Sequence, residues 1–294
     1  MSAPALETNV IETPGFPGVS FGRSADGLLV GLVGEHAFAM APARDGRHYL
    51  VTGWRIQRPM AEWTRGDFYG HGGDLVDENA FRAKVLENAE HQREKTALGR
   101  REERSTASTP WGPSQGATVY ADGVVFHSTA GHGGFLLSSA RNRKVHQSIR
   151  VTGRAYEEDE AWAIVAFSFP HLFTAFERRA AEKTMKDSFP DAWEAITGNA
   201  LGSGESWKKD ERAFFAKHRG HWIVVSAIVS DHQSGFTEVI ATPGGKRGPG
   251  SEERRFLVPS GEYRVGRFGF VIDPERHAVY GGPSSFVSWQ GRSA

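Results

Sequence analysis

Eight consecutive residues, His127-Ser128-Thr129-Ala130-Gly131-His132-Gly133-Gly134, hold two imidazoles, two hydroxyls and three glycines. Glycine lets a backbone come close to a ligand and take positive φ. Successive N–H groups in such a turn form an anion-binding nest. Ser128 and Thr129 would add hydroxyl donors, and Arg141 a guanidinium. The ligand-binding candidates are therefore Ser128, Thr129, Gly131, Gly133, Gly134 and Arg141. His132 would be the acid or base, because imidazole changes charge near neutral pH. The pattern is neither a Walker loop, which needs a Gly-Lys-Ser/Thr ending, nor a dinucleotide fingerprint. A glycine-rich hairpin loop with an exposed histidine is the plainer account of the same residues.

Glu157-Glu158-Asp159-Glu160 is the second concentration. Carboxylates serve as general bases and as hard-metal ligands. Only one of two adjacent side chains points at a given place, however, and a helix N-terminus also collects acid because its dipole favours negative charge. Glu157, Glu158 and Asp159 join His132 and His127 as catalytic candidates. No cofactor is implied and no metal ligand is assigned. An oxygen/nitrogen site for a divalent cation opens only if two of the carboxylates turn towards His127 and His132. The spacing of those histidines is not that of a helical zinc pair.

Other chemistries fall away. The chain has no cysteine, which excludes disulfides and thiolates. It has no Gly-x-Ser-x-Gly nucleophile turn. Arg141, Arg143, Lys144 and Arg150 lie close together and would suit phosphate, although a solvated loop explains them more simply. Thirty-five basic residues balance thirty-five acidic ones, so no whole-protein attraction to nucleic acid or an anionic membrane is expected. No basic start leads into an apolar run, and no stretch approaches the roughly 18 apolar residues of a membrane span. The expectation is a cytoplasmic protein with no membrane partner.

The elements that must hold these residues read as α+β. β-rich N- and C-terminal units flank a central α+β unit that carries the glycine-rich hairpin loop. Residues 1–76 form the N-terminal β-rich unit, after a loose tail over 1–17. Short apolar runs at 28–33, 36–40 and 48–52 are separated by Gly34-Glu35 and Asp45-Gly46 turns. A Gly-His-Gly-Gly turn is expected at 70–73; the same tetrad recurs at 131–134 with unrelated neighbours. Residues 77–108 are a helix and linker. The helix has a thin stripe of Phe81, Val85 and Ala89 and stops at Gly99. Residues 109–198 are the central domain, with a hairpin about Asp122-Gly123, a helix favoured over 156–167, and helices opened by Pro170 and Pro190. Residues 199–294 are the C-terminal α+β unit: a helix from Trp207, then strands at 222–229, 236–241, 255–258 and 268–272.

One ordered set of motifs stands out: Thr109-Pro110-Trp111-Gly112, Ser128-Thr129-Ala130-Gly131-His132-Gly133-Gly134, Tyr156-Glu157-Glu158-Asp159, Phe169-Pro170 and Phe189-Pro190-Asp191-Ala192-Trp193-Glu194. It resembles a family of uncharacterised proteins, a domain of unknown function of alphaproteobacterial plasmids and integrative elements. Gly53-Trp54-Arg55-Ile56 and residues 266–273 are similar to its longer members. The resemblance implies a bacterial, cytoplasmic accessory protein of mobile DNA and no known activity. Where members carry Trp, this chain has Ala155, which would change one wall of a pocket.

Two functions follow. The favoured one is a non-enzymatic factor that binds a protein partner or DNA of the host or mobile element. The alternative is an enzyme acting on a phosphate-bearing or nucleotide-like substrate at residues 131–134, with His132 as acid/base. The distance between His132 and the 157–160 carboxylates separates them.

Overall fold

The structure, a computed structural model, describes residues 10–11, 18–44 and 46–286. The tail expected over 1–17 lies largely outside the described residues, as does Asp45 of the expected Asp45-Gly46 turn. The chain is α+β, with mostly antiparallel sheets. It divides into two compact units, residues 1–185 and 186–294.

The first unit begins with a six-stranded antiparallel meander. β1 (Val10–Ile11), β2 (Val19–Arg23), β3 (Leu29–Val33), β4 (His36–Pro42), β5 (His48–Trp54) and β6 (Gly70–Leu75) each pair with the next. The turn between β3 and β4 needs the left-handed backbone that Gly34 supplies at φ +56°. α1 (Glu78–Ala97) follows, capped by the Asp77 carboxylate, which accepts the Ala80 N–H at 2.7 Å. Its expected stripe of Phe81, Val85 and Ala89 is fully buried against Phe21, Val33, Phe38 and Leu50. The Phe and Val are each worth about 1.5–3 kcal/mol of burial. Trp63 and Phe68 close the other face over Val30, Ala37, Ala39 and Val51. The Gly-His-Gly-Gly turn expected at 70–73 is instead the start of β6. Pairing with β5 satisfies its backbone groups, which a run without apolar side chains does not announce.

A second antiparallel sheet in the same unit carries the hairpin. β7 (Arg101–Glu103), β8 (Ser108–Thr109), β9 (Gly112–Pro113), β10 (Gly116–Ala121), β11 (Val124–Ser128), β12 (Gly133–Leu137) and β13 (Ala155–Glu157) follow in sequence. The sheet runs β7-β10-β11-β12-β13, and β8 pairs with β9 as a separate ribbon. The stretch 100–108, expected as a linker, thus holds two strands: Arg101–Glu103 pair with residues 117–119 of β10. The helix expected over 156–167 is also corrected. Its first residues form β13 on the open edge of β12, and α3 (Trp162–Ser168) starts six residues later. The fully buried Tyr156 anchors that strand. Its hydroxyl donates to Asn142 Oδ1 at 2.6 Å and accepts the Val151 N–H at 3.1 Å.

α2 (Ser139–Asn142) precedes β13 and α4 (Ala175–Ser188) follows α3. Pro170 opens a single 3₁₀ turn rather than α4. The longer helix starts from a reciprocal box, in which Thr174 N–H donates to Glu177 Oε2 and Glu177 N–H to Thr174 Oγ1, at 2.8 and 3.1 Å. Its buried stripe is Ala181 and Met185, and Phe176 is exposed.

The second unit contains α5 (Pro190–Thr197), closed by a left-handed Gly198, and α6 (Trp207–Lys217), capped by Ser206. β14 (Trp222–Val229), β15 (Phe236–Pro243), β16 (Arg254–Pro259) and β17 (Ala278–Val279) form an antiparallel sheet in that order. Val239, Ala241, Phe256, Val258 and Ile272 are its core. The strand expected at 268–272 makes only isolated bridges, Val271 to Ile223 and Gly269 to Gly266. Among the described residues, no helix is long and apolar enough to cross a membrane.

Candidate functional site

Strand register brings the two chemical segments together. β11 and β12 pair Ser128 with Gly133, so residues 129–132 form the loop at one end of the hairpin. β13 pairs Glu157 with Gly134, and the Glu158 N–H donates to Gly133 O at 3.1 Å. Glu157, the last residue of β13, and Glu158 just after it therefore lie beside the loop that leads into β12. His132 Nδ1 is 3.8 Å from Glu157 Oε1 and 4.0 Å from Glu158 Oε1. One ligand atom from each of the three residues fits within a 4.8 Å set. His132 is exposed and the two glutamates are half-buried. Glu157 Oε2 accepts the Asp159 N–H at 2.9 Å, whereas its Oε1 is closed to solvent and has no hydrogen-bond partner. That oxygen faces the imidazole.

Gly133 and Gly134 serve close approach rather than positive φ. None of Gly131, Gly133 and Gly134 has a left-handed backbone, so the alternation that builds an anion nest is missing. A Cβ on Gly133 would lie 2.6 Å from Glu158 Oε2 and 2.8 Å from His127 O. A Cβ on Gly134 would lie 2.5 Å from the Trp111 ring. The loop also spends its own donors. Thr129 Oγ1 donates to His132 O at 2.6 Å and accepts the His132 N–H at 3.2 Å.

The remaining sequence candidates are placed elsewhere. His127 lies on the same face as Glu157, but Gly134 separates them and the Trp111 ring covers the gap. It is buried, its Nδ1 is 3.1 Å from Ser114 Oγ, and burial lowers its pKa. Asp159 is exposed and contributes its N–H to Glu157. The Ser128 carbonyl accepts the Gln115 N–H at 2.8 Å. Arg141 sits at the opposite end of the hairpin, where its Nε donates to Asp122 O at 2.9 Å. The strands between are about 16 Å long at 3.3 Å per residue, so Arg141 does not reach the loop.

The opposite face of the sheet from His127 carries a cleft of about 350 Å³. Thr118, Tyr120, Phe126 and Phe135 rise from β10, β11 and β12; Trp162 and Phe173 close it from the helical side. Glu158 and Glu177 are its carboxylates, so Glu158 belongs both to the His132 cluster and to the cleft. Glu177 is neutralised by Arg100, which donates to both oxygens at 2.8 and 2.5 Å. Burial alone would raise the Glu177 pKa, but the Arg100 and Thr174 hydrogen bonds outweigh it and hold the carboxyl low. Sequence reading missed Arg100, Glu177 and the ring wall. The available signal was Thr174-x-x-Glu177 together with one aromatic residue on each of three consecutive strands, Tyr120, Phe126 and Phe135. A broader basin of about 680 Å³ on the first sheet is lined by Asp26, Leu28, Pro42, Tyr49 and Arg65 among others; its carboxylate, Asp26, accepts the Ser24 hydroxyl and the Arg65 N–H.

Residues 104–219 match the family model of a domain of unknown function, DUF7007. The candidate site, residues 127–158, lies inside that match, and Arg100 lies just before it. The match carries no activity, and it says nothing of plasmids or integrative elements. No curated protein and no solved structure matches the chain.

Proposed function

We propose that the hairpin sheet carries an acid–base site for a small molecule, with His132 as the proton-transfer group and the aromatic cleft as the substrate's seat. The observation that carries this reading is the approach of His132 Nδ1 to Glu157 Oε1 and Glu158 Oε1, at 3.8 and 4.0 Å, where Glu158 also lines the cleft. Glu157, held at Oε2 by the Asp159 N–H, would orient the imidazole; Glu158 would face the ligand. Catalytic hydrogen bonds are commonly long before substrate binds and tighten in the complex. The same three donors suit a divalent cation if they close by about 1 Å, since metal–ligand bonds run about 2.0–2.2 Å.

This reading departs from a phosphate-bearing substrate, because two carboxylates flank the loop and no lysine or arginine joins them among the described residues. The interaction factor of mobile DNA remains what the resemblance implies, with no contact among the described residues to argue it. The test is a screen of the full chain against chromogenic esters, amides and glycosides, with and without a chelator. Turnover by the wild type should fall about 100-fold or more in His132→Ala, with the melting temperature unchanged. Equal turnover in the two proteins would end the reading. Loss on chelation would assign the three side chains to a cation.

A further inference from the structure

The cleft is walled by aromatic rings, and of its two lining carboxylates Glu177 is paired with Arg100 whereas Glu158 has no lysine or arginine partner among the described residues. Phe126 meets Phe135 at 5.2 Å, and Tyr120 meets Phe135 and Phe173 at 4.9 and 5.1 Å between centroids. Trp162 completes the wall. Glu158 Oε1 lies 4.0 Å from His132 Nδ1. Glu102, at the β7 margin, accepts the Thr118 hydroxyl at 2.9 Å through both oxygens. Among the described residues, neither Glu158 nor Glu102 has a lysine or arginine partner. The rings already carry one cation of the protein's own: Arg100 Cζ lies 3.9 Å from the Tyr120 centroid and 5.4 Å from that of Phe173. That guanidinium is committed to Glu177 and Leu172 O, so it neutralises neither Glu158 nor Glu102.

We propose that the cleft binds an organic cation, an alkylated ammonium or guanidinium group on a small apolar body. A ring face attracts a cation through its quadrupole, and the attraction grows when the cation is taken out of water. The rings supply that attraction, and Glu158 supplies the counter-charge at the cleft's edge. An anion placed there would meet the Glu158 carboxylate, and Arg100 is already committed to Glu177. The inference rests on the reading above in taking the cleft as the substrate's seat; it does not depend on His132 moving a proton.

Calorimetric titration of the full chain with choline, benzyltrimethylammonium and 3,3-dimethyl-1-butanol, the neutral isostere of choline, tests it. The cations should bind about tenfold tighter than the neutral alcohol. Glu158→Gln and Trp162→Ala should each weaken the cations about tenfold, with Glu158→Gln keeping its melting temperature. His132→Ala should still bind them, so a wild type that binds cations but shows no turnover would sink the acid–base reading alone. Equal affinity for the neutral alcohol, no binding of either cation, or full binding by Glu158→Gln would overturn the inference. A final arm identifies the source. Trimethyl-lysine held more tightly within a peptide than as the free amino acid marks a protein tail; equal affinity marks a free amine.

Discussion

Residues 70–73 and 131–134 spell the same tetrapeptide, Gly-His-Gly-Gly, and the fold puts them to different uses. The first opens β6, at the edge of the meander. There His71 stacks on Tyr49 with ring centroids 5.2 Å apart, and its Nδ1 accepts the Gly73 N–H at 3.3 Å. The neighbouring Asp74 is paired with Arg47 at 3.0 Å. The second tetrad crosses from a loop into β12, a strand with partners on both sides. Its histidine faces two carboxylates delivered by β13. The glycines differ as well. Gly72 and Gly133 both have ordinary φ and no room for a Cβ, but the last glycines part: Gly73 is held at φ +94° with open space around it, whereas Gly134 has ordinary φ and packs on the Trp111 ring. A motif takes its chemistry from the strand beside it.

The widest separation between the two tetrads should come from their histidines. His132→Ala should lower turnover about 100-fold or more, and His71→Ala should leave it unchanged with a stability change under about 1 kcal/mol. Kinetics and thermal melts on both proteins check this; matched losses would make the tetrads equivalent and remove the site.

The glycines come next. Gly134→Ala and Gly133→Ala should each destabilise by about 1–3 kcal/mol through overpacking, read from urea midpoints. Gly73→Ala should cost about 1 kcal/mol for its left-handed backbone. Gly131→Ala, with nothing within 4 Å of its Cβ position, should stay within about 0.5 kcal/mol. A Gly131→Ala protein as damaged as Gly134→Ala would refute close approach as the reason for the glycines.

pH sharpens the contrast at smaller amplitude. Burial holds the His127 pKa below its ordinary value, and does the same for His36 and His91. These imidazoles are neutral in the fold and protonate more readily in the unfolded chain. Their contribution is present above the unfolded value of about 6.5 and is lost as pH falls through the lower folded value. Glu177, also held low, follows in more acid solution for the same sign of reason. Thermal melts from pH 7 to about 5 should therefore show falling Tm. His127→Gln should flatten the slope. A wild-type Tm that stays level would contradict the buried neutral state.

The smallest effect is expected with DNA. Balanced charge leaves only local basic groups such as Arg143 and Arg150 to meet phosphates, and the Arg150 guanidinium is already spent on the carbonyls of Arg143 and Val145. Binding to duplex DNA at physiological salt should be weak and salt-sensitive. Nanomolar binding there would turn attention from the cleft to a basic surface.

Local chemistry in the sequence determines much of this protein. Apolar runs of strand length broken by turn residues specify the meander, and a stripe at helical spacing between Asp77 and Gly99 specifies α1, because periodicity and end signals act within a few residues. The α+β class and the two chemical segments are legible for the same reason. Tertiary structure alone decides what those segments do. The acid run at 157–160 has the composition of a helix start, yet the open edge of β12 claims residues 155–157 as a strand, since unpaired backbone groups need partners more than a helix dipole needs charge. That pairing, set by the opposition of Gly134 and Glu157, brings Glu157 and Glu158 to His132 and turns Glu158 into the aromatic cleft. It also leaves His127 behind Trp111 and Arg141 at the far end of the strands. Such placements depend on which strand lies beside which, and residues 23 to 26 positions apart, from Gly134 and Glu157 to His132 and Glu158, carry no mark of it until the sheet is formed.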